Sequence, residues 1–229
     1  MISVIIPTLN EKKNIFKISE RLNKVKIISE VIFVDDNSTD GTFKEIKKIK
    51  FKKFKGLLRK SRKKDLSKSV VLGVTKAKNK VILVMDSDLQ HDVSYIKKMW
   101  NNFNRDDYDL IVASRFLNKN FFGNIGFIRS FISISAISMI NFLFGKKTSD
   151  PLSGFFMCKK ILIDKYKSRF FLKGYKILFD VLYNGKKNLL TKDLSIHFKK
   201  RKFEQSKFNF YIIRLFLDQM IYTKFLDKK

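Results

Sequence analysis

Short apolar runs that stop abruptly at oxygen-bearing side chains recur through the first half of the chain. Residues 2–6 (Ile-Ser-Val-Ile-Ile) read as a buried strand closed by Pro7. The turn Pro7-Thr8-Leu9-Asn10-Glu11 follows, with Asn10 as the expected helix cap, and Ile15, Ile18 and Leu22 then recur at helical spacing. Residues 31–34 repeat the strand pattern and end in Asp35-Asp36-Asn37-Ser38-Thr39-Asp40-Gly41-Thr42, ahead of a helix expected to run to Ile49. A third strand is predicted over 54–59 and a helix over 66–77. The sharpest case is Val81-Ile82-Leu83-Val84-Met85, five residues of buried-strand type followed at once by Asp86-Ser87-Asp88-Leu89-Gln90-His91-Asp92. A helix over 93–103 and a strand over 109–113, ending in Ser114-Arg115, complete the alternation.

Strands alternating with helices predict an α/β fold with a doubly wound, mostly parallel sheet whose strand ends open onto one edge. Ligands bind at that edge in such folds, so Glu11, Asp35, Asp36, Asp86, Asp88 and Arg115 are expected to share one crevice. Two Asp at i and i+2 suit a hard divalent cation such as Mg²⁺ or Mn²⁺, although an acidic first helical turn would place Asp there too. No strand leads into Gly-x-Gly-x-x-Gly, and no Gly-Lys-Ser/Thr phosphate loop is present. A bound diphosphate would therefore be held mainly by metal and by Arg or Lys.

After Arg115 the alternation stops. A helix is predicted over 125–144, interrupted by Arg129, Ser130, Ser133, Ser135, Ser138 and Asn141, which suits a membrane interface or packing on the protein better than a span of about 20 apolar residues. Then come a turn-rich loop from Thr148 to Phe156, a helix over 175–183, a strand over 190–198, a polar loop containing Arg201 and Lys207, and a final helix over 208–225, apolar on most of its surface.

The 229 residues make one large domain or a domain with an appendage, and 45% of them being hydrophobic is enough for a real core. Two Pro and nine Gly leave no room for a disordered linker. The single Cys158 excludes an internal disulfide framework and reads as a small buried side chain. A net charge of +28, with eleven of the eighteen residues 47–64 Lys or Arg, favours anionic partners, or reflects a lysine-rich composition spread over solvated faces. No zinc finger, aromatic RNP-type strand or helix-turn-helix accompanies the charge, which argues against nucleic acid. The first strand follows Met1 directly, without a charged-then-apolar leader, so no signal peptide is expected.

In family order, Pro7-Thr8-Leu9-Asn10-Glu11, Asp35 to Thr42, Met85 to His91, Ser114-Arg115-Phe116, Ser153-Gly154-Phe155, Gly174-Tyr175-Lys176, Arg201 and Ser206-Lys207 resemble glycosyltransferase family 2, of the dolichyl-phosphate or polyprenyl-phosphate mannosyltransferase type. The resemblance implies a GT-A fold in a single domain spanning 1–229, with a nucleotide-sugar half (1–116) and an acceptor and membrane-facing half (117–229) carrying interfacial helices; some relatives continue into transmembrane helices, whereas no transmembrane domain is expected from the interrupted apolar run over 125–144. By the same analogy Pro7, Leu9, Glu11, Val34 and Asp36 line the nucleoside pocket. Asp86, Asp88 and Gln90 hold the divalent cation, Mg²⁺ or Mn²⁺, beside Ser87. Arg115, Arg129 and Ser133 meet phosphate groups of donor and lipid acceptor, and Arg201 and Lys207 close over the donor. The catalytic positions implied are Asp88, Arg115 and Arg129. Implied partners are GDP-mannose or UDP-glucose, a polyprenyl phosphate, an anionic membrane surface on its cytoplasmic face, and a small membrane protein.

The acceptor assignment also has a chemical argument. Transfer to a sugar hydroxyl needs a general base, whereas a phosphomonoester, with a second pKa of ~6, is already an anionic nucleophile at neutral pH. The chain contains no Glu-Asp dipeptide, which hydroxyl-using relatives often carry, and no Gln-x-x-Arg-Trp, its one Trp being Trp100. Several positions depart from the family pattern: Phe156 for an Arg, Asp180 for a Glu, Glu204 for a Gly and Leu9 for a Tyr. Competing readings are a family 2 enzyme acting on a saccharide hydroxyl and a basic nucleic-acid-binding module.

Overall fold

The computed structural model describes residues 1–117, 127–199 and 210–226, with the backbone alone for 127–131. The predicted alternation is present as β1 (Ile2–Thr8), α1 (Lys12–Asn23), β2 (Ile28–Asp35), α2 (Thr42–Lys47), β3 (Phe54–Leu58), α3 (Leu66–Lys76), β4 (Val81–Val84), α4 (Tyr95–Arg105) and β5 (Leu110–Ser114). There follow α5 (Phe127–Phe144), β6 (Phe156–Lys159), α6 (Ile161–Asp164), α7 (Ile177–Tyr183), β7 (Thr191–Ser195) and α8 (Phe210–Leu226).

Among the described residues seven strands form one sheet in the order β3-β2-β1-β4-β6-β5-β7. All neighbours pair in parallel except β6, which runs antiparallel to both β4 and β5. Strand order grows outward from β1 in one direction and from β4 in the other, so the switch point lies between them. The ends of β1 and β4 therefore flank the crevice that such a reversal opens. Period-two alternation supplies both faces. Val4, Ile6, Val31, Phe33, Leu83 and Met85 pack against Ile15, Ile18 and Leu22 of α1 and Ile96 and Met99 of α4. Ile5, Ile32, Val34, Ile82 and Val84 face α3, α5 and α7 on the other side. Gly73 lets α3 approach closely, since a Cβ there would lie 2.6 Å from Ile5 Cγ2.

Two local expectations are corrected. The strand β6 was not foreseen, and it completes the sheet by filling the gap between β4 and β5. Asn10 is not the helix cap: it takes a left-handed φ of 51°, and its Oδ1 accepts the Thr39 N–H at 3.0 Å, tying together the loops after β1 and β2. Glu11 occupies the cap position without a side-chain cap bond. Cys158 is fully buried, and burial pushes its thiol up to about 12, so it is a packing residue, as expected.

Part of the basic run is structural. Lys53 Nζ donates to the carbonyl oxygens of Leu22, Asn23, Val25 and Ile28 at 3.0–3.4 Å, closing the C-terminal end of α1, and Lys55 pairs with the buried Glu30. Helices α5 and α8 are neighbours, with Lys224 Nζ bonded to the Leu143 carbonyl oxygen and lying over the Phe144 ring. Both helices leave large apolar side chains in the open: Phe142 at 88% exposure, and Phe210, Ile221 and Phe225 at more than half. Among the described residues no helix is long and apolar enough to cross a membrane.

Candidate active site

The crevice is built around the turn that leaves β4. Asp88 is 5% exposed and its Oδ1 accepts the Gln90 N–H at 3.0 Å, which curls the chain so that both Asp86 and Asp88 stay at the strand end. Gly154 presses on this turn: a Cβ there would fall 2.9 Å from Asp86 Cγ and closer still to Oδ2. His91 is buried, its ring stacked on Phe155 at 4.9 Å and tilted against Phe198 at 5.4 Å. Burial lowers its pKa, against the opposing pull of Asp86 and Asp88, while Arg115 and Asp150 also act on it.

Arg115, at the end of β5, is gripped by Asp150, whose Oδ2 and Oδ1 accept from Nε and Nη2 at 2.7 and 2.8 Å. Burial opposes the guanidinium charge, but the Asp150 carboxylate, with Asp86 behind it, raises the Arg115 pKa. Three carboxylates and one guanidinium thus act on the buried His91 imidazole. That excess of negative charge, carried by hard oxygen donors, is the environment a divalent cation fits.

A second polar group lies at the end of β2. Asp36 is fully buried, ion-paired to Arg59, and accepts the Asp65 backbone N–H. Asp65 caps α3 by accepting the Lys68 N–H at 3.1 Å, and Tyr175 lies within the field of both carboxylates. Burial pushes Asp65 up to about 6 from 3.8, with Asp36 adding to the rise and Lys68 and Arg59 opposing it. The fold thus favours protonated Asp65. That contribution is complete below the ordinary value and is lost as pH rises through about 6. Asp65→Asn keeps a good cap residue without the charge. It is expected to raise Tm by about 5 °C at pH 7.5, on the order of 2 kcal/mol, and to give no gain at pH 3.5, as followed by thermal melts. An equal gain at both pH values would refute the assignment.

Of the positions singled out from sequence, Asp86, Ser87, Asp88, Gln90 and Arg115 lie together at the ends of β4 and β5. Pro7, within β1, pairs with Val34. Val34 offers no side chain to a pocket, being wholly buried against α3. Leu9 and Glu11 are nearly buried, with Glu11 Oε2 accepting from Asn14 at 2.7 Å. Gln90 commits its amide nitrogen to the Lys199 carbonyl oxygen at 2.9 Å. Ser133 is half-buried on α5. Arg201, Glu204 and Lys207 lie outside the described residues, as does the Arg129 side chain. Sequence reasoning did not single out Asp150, Asp65 or Phe198. Asp150 sits in a stretch that reads only as a turn-rich loop, and nothing local pairs it with an arginine 35 residues earlier.

The family model for glycosyl transferase family 2 matches residues 3–167. The chain belongs to glycosyl transferase family 2. It is 32% identical over 189 residues to a dolichol-phosphate mannosyltransferase of Pyrococcus furiosus, covering 81% of this chain and 53% of that protein. To a dolichol-phosphate mannosyltransferase of Saccharomyces cerevisiae it is 29% identical over 192 residues, covering 79% and 69%. Among solved structures, glucosyl-3-phosphoglycerate synthase from Mycobacterium tuberculosis, in complex with Mn²⁺, UDP-glucose and phosphoglyceric acid, superposes with a TM-score of 0.72 at 17% identity, covering 96% of this chain and 79% of that one. The α/β architecture expected from sequence is thus the GT-A fold, and the chain spans about half the length of the Pyrococcus relative.

Proposed function

We propose that this family 2 member transfers a hexose, with inversion, from a nucleotide diphosphate sugar to a polyprenyl phosphate. Mannose from GDP-mannose is the first candidate and glucose from UDP-glucose the next. The observation that carries the reading is the crevice at the sheet's switch point, where Asp86, Asp88, Asp150 and Arg115 surround His91. The similarity to two dolichol-phosphate mannosyltransferases supplies the acceptor class.

In this reading Asp86 and Asp88, with the Gln90 amide oxygen, hold Mg²⁺ or Mn²⁺. The Mycobacterium enzyme of the same fold binds Mn²⁺ with UDP-glucose. Among the described residues no group of three or more His, Cys, Asp or Glu is placed to hold a metal ion, so the two carboxylates and the amide oxygen are what the chain would offer it. When bound, the cation supplies charge neutralisation for the departing nucleoside diphosphate. Ser87 lies beside the diphosphate. Pro7, Leu9, Glu11 and the Asp36–Arg59–Asp65 group would border the nucleoside, with Val34 contributing backbone only. Arg115 would face the phosphates through the guanidinium edge that Asp150 leaves open, and Ser133 and Arg129 would receive the acceptor phosphate. Arg201 and Lys207 keep their donor-closing role by resemblance alone. Because the acceptor is already anionic, no side chain need remove a proton from it. The chain's work is orientation and electrostatic stabilisation.

The apolar surfaces of α5 and α8, with Phe142, Phe210, Tyr211 and Phe225 outward, suit the interface of a bilayer that carries the lipid acceptor. The chain's positive charge complements the anionic cytoplasmic face. The test is transfer of radiolabel from GDP-mannose, and separately UDP-glucose, into the organic phase with polyprenyl phosphate, with and without Mn²⁺ or Mg²⁺. Metal-dependent organic-soluble label is expected. Label appearing only in a water-soluble saccharide would move the acceptor from phosphate to hydroxyl.

A further inference from the structure

Arg115 is restrained by an ion pair and by two aromatic rings. Asp150 takes Nε and Nη2 and also accepts the Arg115 backbone N–H at 3.3 Å. The guanidinium carbon lies over the rings of Phe116 and Phe198, 5.5 Å from both centroids. Each restraint is itself anchored. The Asp150 backbone N–H donates to Thr148 Oγ1 at 3.3 Å; that hydroxyl donates to Asp193 of β7, and Asp193 Oδ2 also accepts the Ser149 N–H at 2.7 Å. The Ser149 and Ser114 hydroxyls meet at 2.6 Å, stitching this turn to the end of β5. Phe198 is bolted to the Asp-rich turn: the Lys199 N–H donates to the Gln90 carbonyl oxygen at 3.0 Å, Gln90 Nε2 returns a bond to the Lys199 carbonyl oxygen, and Lys199 Nζ pairs with Asp92. The His197 N–H donates to the Tyr95 hydroxyl at 3.0 Å, one residue before Phe198.

A buried ion pair adds little net stability, because desolvation offsets its Coulomb gain. What so many restraints do accomplish is to hold one guanidinium orientation. We propose that Asp150 and Phe198 are positioning residues that jointly set the plane of Arg115, leaving its Nη1 end as the donor edge for a phosphate in the crevice. The role of that edge rests on the transferase reading above; the restraint itself does not. Phe198 also touches His91 beside Asp88, so the same ring registers Arg115 against the carboxylates that would carry the cation. A guanidinium free to swing would have to be ordered anew in each transition state, and misplacement by about 1 Å costs up to about a hundredfold in rate.

The test is a double-mutant cycle in the full chain, measuring kcat and the donor KM. Phe198→Leu and Asp150→Asn are each expected to lower kcat about tenfold with the donor KM within about twofold, and to cause no further loss in an Arg115→Met background. Phe198→Leu is partly exposed to the crevice and leaves the ion pair intact, so it serves if Asp150→Asn impairs folding. Losses that multiply in the Arg115→Met background, or wild-type kcat in Phe198→Leu, overturn the proposal. Arginine-labelled NMR reads the restraint independently of substrate: the Arg115 Nε–H should exchange slowly in the wild type and about tenfold faster in Phe198→Leu. A freely averaging Arg115 signal in the wild type overturns the proposal whatever the substrate. A slow signal in a wild type that transfers nothing to polyprenyl phosphate leaves the positioning role standing and removes only the acceptor assignment.

Discussion

Asp88→Ala is expected to lower turnover about a thousandfold while the protein stays folded. The substitution removes one of three carboxylates that act, with one guanidinium, on the buried His91, so the crevice loses much of its reason to hold a divalent cation. Its structural cost is the bond from the Gln90 N–H to Asp88 Oδ1, about 1 kcal/mol, in a turn also tied through Gln90 to Lys199. Asp88→Asn separates the two contributions. It retains an acceptor for the Gln90 N–H but not the charge, and should lose turnover as fully as Ala while melting like the wild type. Both variants would be followed by radiolabel transfer at saturating Mn²⁺ and by thermal melts. Turnover near wild type in Asp88→Asn would mean that the charge is not what the reaction uses, and the cation assignment would fall with it.

The half of the fold that carries the site was legible because β1, β2, β4 and β5 are runs of apolar residues cut off by polar or charged ones, acids in the case of β2 and β4. A parallel strand buried on both faces shows such a run, and its functional edge is where the run ends. Val81 to Met85 followed by Asp86 and Asp88 is that pattern in one line. The strand β6 was not legible for the converse reason. Phe156-Met157-Cys158-Lys159 is too short to show a period, and it is a strand only because β4 and β5, each far away in sequence, leave a slot between them. Asn10 shows another limit: a residue type that favours helix caps also tolerates left-handed backbone, and here a bond to the Thr39 N–H from a separate loop decided between the two. In the site, the carboxylates and Arg115 were visible as residue types at strand ends. Their restraints were not, since Asp150 and Phe198 reach Arg115 across 35 and 83 residues of sequence. Long-range polar pairing leaves no periodic trace, whereas a buried apolar face does.

Gly154→Ala is the steric counterpart of removing a carboxylate, and it is expected to cost about a hundredfold in turnover without touching any charge. Gly154 does not adopt a positive φ, so alanine carries no backbone penalty there and the effect is purely one of space. The added methyl would lie 2.9 Å from Asp86 Cγ. The backbone cannot retreat easily, because Ser153 Oγ donates to the Ala113 carbonyl oxygen at 2.9 Å and accepts the Phe155 N–H at 3.1 Å, while the Phe155 carbonyl oxygen accepts the Ala113 N–H at 3.0 Å. Asp86 must therefore move, at a stability cost of about 1–2 kcal/mol. Moving one of the paired carboxylates by about 1 Å would spoil the geometry that the proposed cation requires of the pair. The double variant Gly154→Ala/Asp86→Ala tests this reasoning, because shortening Asp86 removes the clash. Its Tm should return toward that of Asp86→Ala alone, while turnover stays lost. If Gly154→Ala turns over normally, Asp86 tolerates displacement, and the cation contact must then rest on Asp88 with little help from its neighbour.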